Sequence, residues 1–175
     1  MYQIRELKRQ DMKRINEWRN NPEVIMCLGS PFRYINDEVD DKWFDYYMCN
    51  RDKMVRCSII SEESPDDIIG LVSLTNINYI NRSASFHIMI GKKENQNIGA
   101  GTFATKKMLE HGFLNMNLNR IELATLSNNV RAQHLYKKCG LKKEGVKREC
   151  CYKNGKYLDE EIYSILRKEF LENFE

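Results

Sequence analysis

The chain has 175 residues, of which 42% are hydrophobic and 30% charged, with a formal net charge of +3. This is one domain with room for a real core, and its charge surplus is too small to argue for a nucleic-acid surface. No stretch approaches the roughly 18 apolar residues of a membrane span, and Met1-Tyr2-Gln3-Ile4-Arg5-Glu6 lacks an apolar signal core, so a cytoplasmic protein without a membrane partner is expected.

Tyr2 to Leu7 reads as a strand. Asp11 caps a helix running through Ile15 and Trp18 to Asn20, which Asn21-Pro22 ends. A loose segment from Pro22 to Ile35 follows. Asn36 or Asp37 caps a second helix, with Val39, Trp43, Phe44, Tyr47 and Met48 spaced for one face.

The period then changes to two. Val55 to Ser61 and Ile68 to Ile77 form a hairpin around Ser64-Pro65-Asp66-Asp67. Ser83 to Gly91 is another strand, with Ala84, Phe86, Ile88 and Ile90 on one face and Ser85, His87 and Met89 on the other.

The run Gln96-Asn97-Ile98-Gly99-Ala100-Gly101 opens a helix from Thr102. Arg120 to Leu126 is a strand, and Asn129 to Cys139 a helix that Gly140 terminates. Two last strands flank Asn154-Gly155, a strong hairpin signal. The order β-α-α-β-β-β-α-β-α-β-β predicts a single-domain α+β fold around a mixed, mostly antiparallel twisted sheet of about seven strands. Exposed strand edges near the C-terminus make a homodimer an expectation.

The cysteines at 27, 49, 57, 139, 150 and 151 contain no Cys-x-x-Cys pair, so no metal site is expected. Cys150 and Cys151 are neighbours on a strand and are predicted to face opposite ways.

Two motifs carry chemistry. The first is Gln-x-x-Gly-x-Gly directly after a strand. Gly99 and Gly101 permit positive φ and close approach of an anion, and the helix start adds backbone N–H groups and positive potential. The pattern fails both the Gly-x-Gly-x-x-Gly dinucleotide fingerprint and the P-loop. The second is Asn129-Val130-Arg131-Ala132-Gln133-His134-Leu135-Tyr136. Asn129 and Tyr136 lie about two helical turns apart, on one side, with small Ala132 between them. A phenol with a pKa of about 10 is a proton donor at neutral pH, although an aromatic at that position equally suits a core.

Together these runs resemble the GNAT superfamily of acyl-CoA-dependent N-acetyltransferases. The turn matches that family's pyrophosphate loop, and the Asn-x-x-Ala-x-x-x-Tyr helix ending in Gly140-Leu141 matches its second motif, where Gly-Phe is usual. Trp18-Arg19-Asn20, Asn81-Arg82, Glu144-Gly145 and Asn154 to Asp159 resemble the branch that acetylates ribosomal-protein N-termini (RimJ/RimL-type), polyamines and amino-sugars.

The resemblance implies acetyl-CoA as co-substrate and acetyl transfer to a primary amine by direct attack. The acceptor would be a small amine, an amino-sugar or a peptide N-terminus. The rival reading is an acyl-CoA sensor of the same fold without turnover. Cofactor contacts would come from Gln96, Asn97, Ile98, Gly99, Ala100, Gly101 and Thr102. His87, Ile88, Met89 and Ile90 would flank the pantetheine arm, and Asn129 would bond it. Ala132 lines the same side, and Arg131 and Lys138 would lie near the 3′-phosphate. Tyr136 would protonate the departing thiolate.

The usual carboxylate bases are missing, because Ser85 and Ala124 stand where relatives often have Glu. Glu122 and His87 are the substitutes on the same strand faces. Trp18, Arg19, Asn20 and Ser85 are expected at the acceptor. Glu23, Asp37, Glu38, Asp40, Asp41 and Asp45 leave two readings open: attraction of a cationic amine, or an ordinary solvated helix face. Arg19 points instead to a carboxylate or phosphate.

Overall fold

The computed structural model describes residues 1–91, 95 and 98–172. Its elements are β1 (Tyr2–Glu6), α1 (Met12–Arg19), α2 (Pro22–Ile25), α3 (Asp37–Cys49), β2 (Val55–Ser61), β3 (Ser64–Asn78), β4 (Ser83–Ile90), α4 (Ala100–Glu110), β5 (Arg120–Leu126), α5 (Val130–Lys138), β6 (Lys142–Lys153), β7 (Lys156–Leu166) and α6 (Arg167–Glu172). The strands form one seven-stranded sheet in the order β1-β2-β3-β4-β5-β7-β6. Every neighbouring pair is antiparallel except β4 with β5. This is the expected α+β fold with a mixed sheet.

The alternation along each strand assigns the two faces. Val72, Leu74, Ala84 and Phe86 pack with Ala104 and Met108 of α4 in one core cluster. Ile60, Ile68 and Leu71 pack with Ile15 and Trp18 of α1 and with Phe44 and Tyr47 of α3 in another. The sheet is thus a partition, with α4 on one side and α1 and α3 on the other.

Several elements depart from the sequence expectations. Asn21 caps a short helix, α2, whose Pro22 takes the first turn, where its missing N–H costs nothing; the proline starts a helix as well as ending one. Strand β3 begins at Ser64, not Ile68, and α6 follows β7 directly. On α3 the buried positions are Asp40, Phe44 and Tyr47, while Val39 and Met48 are exposed. A carboxylate takes the inward position because Asn16 and Arg19 of α1 meet it there.

The decisive irregularity lies between β4 and β5. They pair at Ser83↔Arg120, Ala84↔Ile121 and Ser85↔Glu122, and no further. Arg82 clamps this closed end: its carbonyl accepts the Arg120 N–H at 3.1 Å, and its guanidinium donates to Asn117 Oδ1 at 2.6 Å. Beyond Ser85 the strands splay, and β5 is held instead by β7 along its whole length. On β3, Asn76 adopts a φ of 50° at a register shift between Thr75 and Asn78.

Asn154 and Gly155 make the β6–β7 hairpin turn with φ values of 47° and 79°, the pair of positive values a type I′ turn requires. Further along β6, a register shift falls between Lys147 and Cys151, and Glu149 takes a φ of 50°. This bulge overturns the expected opposition of the adjacent cysteines. The Cys150 and Cys151 sulfurs and a Glu160 carboxylate oxygen converge to within 4.8 Å of one another.

Candidate active site

The splay opens a cleft of about 1330 Å³ that passes through the sheet. Its walls are the open half of β4 (Phe86 to Ile90), Ala124 and Thr125 of β5, the face of α5, and the segment after α2. His87, Ile88, Met89 and Ile90 all line it, as expected. Strand β4 bonds to β3 on one side and has lost β5 on the other, so its backbone groups beyond Ser85 edge the gap as an unoccupied strand edge.

Tyr136 borders this gap. Its ring is buried against Phe86 and Tyr163, with centroids 6.3 and 6.0 Å away. The hydroxyl makes no hydrogen bond among the described residues, and Tyr136 lines the cleft. Burial pushes its pKa well above the ordinary phenol value, with the neighbouring Cys139 adding to the effect. The group therefore stays protonated across the neutral range.

The Gly-rich turn stands at one end of the cleft. Gly99 caps α4 in the left-handed region at a φ of +93°, with open space around it. Its carbonyl accepts the first helical bond, from Phe103. The N–H groups of Ala100, Gly101 and Thr102 precede that bond and lack helical partners. Gly101 serves packing: a Cβ there would stand 3.0 Å from Leu135 Cδ1 of α5. Gly99, Gly101 and Thr102 line the cleft, whereas Ala100 is buried in the core. Ile98 is exposed, and its carbonyl accepts from the Tyr2 hydroxyl at 3.1 Å. Gln96 and Asn97 lie outside the described residues. A strand edge leading to a helix start whose N–H groups lack helical partners suits an extended amide-bearing chain ending in phosphates.

On α5, Ala132, Arg131 and Lys138 line the same cleft. Asn129 lines it too, but its side chain is engaged twice within the protein: Oδ1 caps the helix at Ala132 N, and Nδ2 donates to the Cys27 carbonyl. Each end of the amide is half used, which leaves one Nδ2 hydrogen and one Oδ1 lone pair for a further partner.

Of the residues expected at the acceptor, only Arg19 lines the cleft. Trp18 is buried, and its indole packs where a side chain at Gly91 would run. Asn20 clamps the backbone of Ile35, donating at 2.7 Å and accepting at 2.9 Å. Ser85 accepts from Asn76 Nδ2 at 3.3 Å and is not among the cleft-lining residues. Glu122 is also outside the lining, held by Arg120 at 2.9 Å.

His87 lies on the open side of the sheet, with Nε2 2.9 Å from Thr75 Oγ1. Enclosure by the cleft walls lowers its pKa, and the Arg56 charge lowers it further. The imidazole is consequently neutral at pH 7 and can accept a proton.

Sequence reasoning passed over Arg56, Arg33 and Lys153. Arg56 lines the cleft, with its guanidinium 4.2 Å from the Trp43 ring centroid. The signal was available: on β2, Arg56 shares the face of Ser58 and Ile60, an inward face where a cation needs a reason. Lys153 is buried, and its ammonium donates to the carbonyls of Ile25 and Ser30 at 2.8 and 2.7 Å. It pins the cleft-lining segment after α2.

The acetyltransferase (GNAT) domain model matches residues 3–142. The chain belongs to the GNAT family. Over 173 residues it is 31% identical to spermidine N(1)-acetyltransferase of Vibrio cholerae, covering 98% of this chain and 96% of that one. It is 28% identical over 169 residues to the Escherichia coli K12 spermidine N(1)-acetyltransferase, covering 96% and 87%. The crystal structure of the Vibrio cholerae spermidine N-acetyltransferase with CoA and spermine superposes at a TM-score of 0.89, with 29% identity over 97% of this chain and 98% of that chain. This GNAT protein is an acetyl-CoA-dependent N-acetyltransferase acting on an amine, and the rival sensor reading gives way to it.

Proposed function

We propose that this chain transfers acetyl to a primary amine by direct attack in the β4–β5 gap, with Tyr136 as general acid and His87 as general base. Acetyl-CoA supplies the activated thioester. The unpaired edge of β4 would align its amide-bearing arm, and the N–H groups of Ala100 to Thr102 would receive its pyrophosphate. The amine nitrogen forms the new C–N bond, the C–S bond breaks, and the electron pair leaves on sulfur. Tyr136 delivers its proton to that sulfur. His87 takes the proton that the amine sheds, either directly or through water. Glu122 has no part in this scheme, because it is spent on Arg120.

The observation that carries the reading is the placement of a protonated phenol, without a hydrogen-bond partner among the described residues, beside the parallel β4–β5 seam where that seam parts. The relatives' names point to polyamines as one acceptor class within the wider class of primary amines.

Release of free CoA thiol from acetyl-CoA in the presence of an amine tests the activity. Tyr136→Phe keeps the ring packing, so acetyl-CoA binding is expected to persist while kcat drops by about 10²–10⁴. An unchanged kcat, with chemistry rate-limiting, removes Tyr136 from the acid role.

A further inference from the structure

The acidic residues that suggested a polycation are not in the cleft. Asp40 is buried and accepts from Arg19 and Asn16. Asp41 and Asp45 pair with Arg9 on the outer side of α3. Among the described residues lining the cleft, the single carboxylate is Glu160, and the Cys150 thiol donates to it at 3.6 Å.

The cations are inside. Arg56, Ser73 and His87 are register partners across β2, β3 and β4, so they form one row on the α1/α3 face. That row ends at the gap. Two strand spacings put Arg56 on the order of 10 Å from the β4 edge where transfer takes place.

Among the described residues the Arg56 guanidinium pairs with no carboxylate, and its buried Nε has no hydrogen-bond partner. Burial and the nearby Arg19 charge lower its pKa, but a guanidinium remains charged at any physiological pH. Arg19 lies beside the same indole, 5.8 Å from its centroid. Arg33, also in the lining, makes no ion pair or hydrogen bond among the described residues. A half-buried cation without a counter-ion is costly unless a ligand supplies the charge.

We infer that the acceptor is an anionic amine, whose phosphate or carboxylate is received by Arg56 and Arg33 while its amino group reaches the β4–β5 gap. This rests on the acetyl-transfer reading above and adds the acceptor's charge to it. Arg19 is balanced by Asp40, so a spermidine-like polycation would meet Arg33 and Arg56 with like charge and, among the described lining residues, Glu160 alone with opposite charge.

The test separates the two readings by filling the donor site first. The full-length protein is saturated with CoA, so that the phosphate seat at Gly99 is occupied. Inorganic pyrophosphate, glutarate and spermidine are then titrated calorimetrically. Pyrophosphate or glutarate is expected to bind, and the stronger of the two identifies the anion. Arg56→Met should weaken that binding by about 10- to 100-fold, the worth of a charge-assisted contact, with CoA affinity unchanged.

In turnover, glucosamine 6-phosphate should exceed glucosamine in kcat/KM, and Arg56→Met should erase the difference. The proposal is overturned if neither anion binds the CoA-loaded protein, if Arg56→Met leaves anion affinity as it was, or if spermidine binds more tightly than both anions. Failure to bind CoA at all would instead overturn the acetyl-transfer reading.

Discussion

Asn129 Nδ2 donates to the Cys27 carbonyl at 3.0 Å, while Oδ1 of the same amide receives the Ala132 N–H at 3.2 Å. One side chain therefore starts the helix that carries Tyr136 and also holds the segment that follows α2. Two walls of the cleft, α5 and the segment after α2, share a fastener. Asn129→Ala removes both bonds. It should cost about 1 kcal/mol of stability for the lost cap and raise KM for the amine as well as for acetyl-CoA. Chemical denaturation and steady-state kinetics read the two effects separately. A change confined to the acetyl-CoA KM would show that the Cys27 bond is idle.

Gly99 is required for its backbone conformation, not for space. At a φ of +93°, Ala in its place costs about 1–3 kcal/mol or turns the following N–H groups away. CoA affinity measured by calorimetry should fall by at least about tenfold, while thermal stability falls only modestly. Undiminished affinity would place the phosphate seat elsewhere.

Lys153 makes a different contribution. Its buried ammonium satisfies two carbonyls of the cleft-lining segment, and burial lowers its pKa despite nearby acidic groups. Lys153→Met keeps the packing and strands both carbonyls. Limited proteolysis should then cut between residues 26 and 35 faster than in the parent protein, and the acceptor KM should rise with CoA affinity intact.

The pH dependence follows from His87. The base works when neutral, so activity is lost as pH falls through its folded pKa. That pKa is held below the ordinary 6.5 by enclosure first and by the Arg56 charge second. The acid limb of the kcat profile should therefore lie below pH 6.5, leaving the neutral range flat. Removing the charge in Arg56→Met should move the limb upward, toward 6.5. A limb that stays in place would uncouple the two residues, and its survival in His87→Gln would exclude His87 as base.

Much of this was legible because it is local. Asn154-Gly155 specifies its own turn, since both residues tolerate positive φ. The Gly-x-Gly turn and the Asn129-to-Tyr136 spacing lie within single elements, where helical period alone brings side chains together. What escaped is long-range. Nothing near Asp40 in sequence says that Arg19 and Asn16 will cover it, so the run of acids around α3 left both a cation-attracting site and a solvated helix face open. Nothing around Cys150 announces a bulge, which depends on how β6 meets β7. The roles of Arg56 and Lys153 arise from partners on other elements, Trp43 for one and Ile25 and Ser30 for the other.

The three-residue β4–β5 seam sets a limit on how far this protein can be hardened. Continuing the parallel ladder past Ser85 and Glu122 would add backbone bonds and satisfy groups that now edge an opening. The same change would fill the gap in which acetyl transfer is proposed. Substitutions that tighten this part of the sheet should therefore raise the melting temperature and abolish turnover together. A screen for thermal robustness alone would drift toward a well-folded, inert sheet.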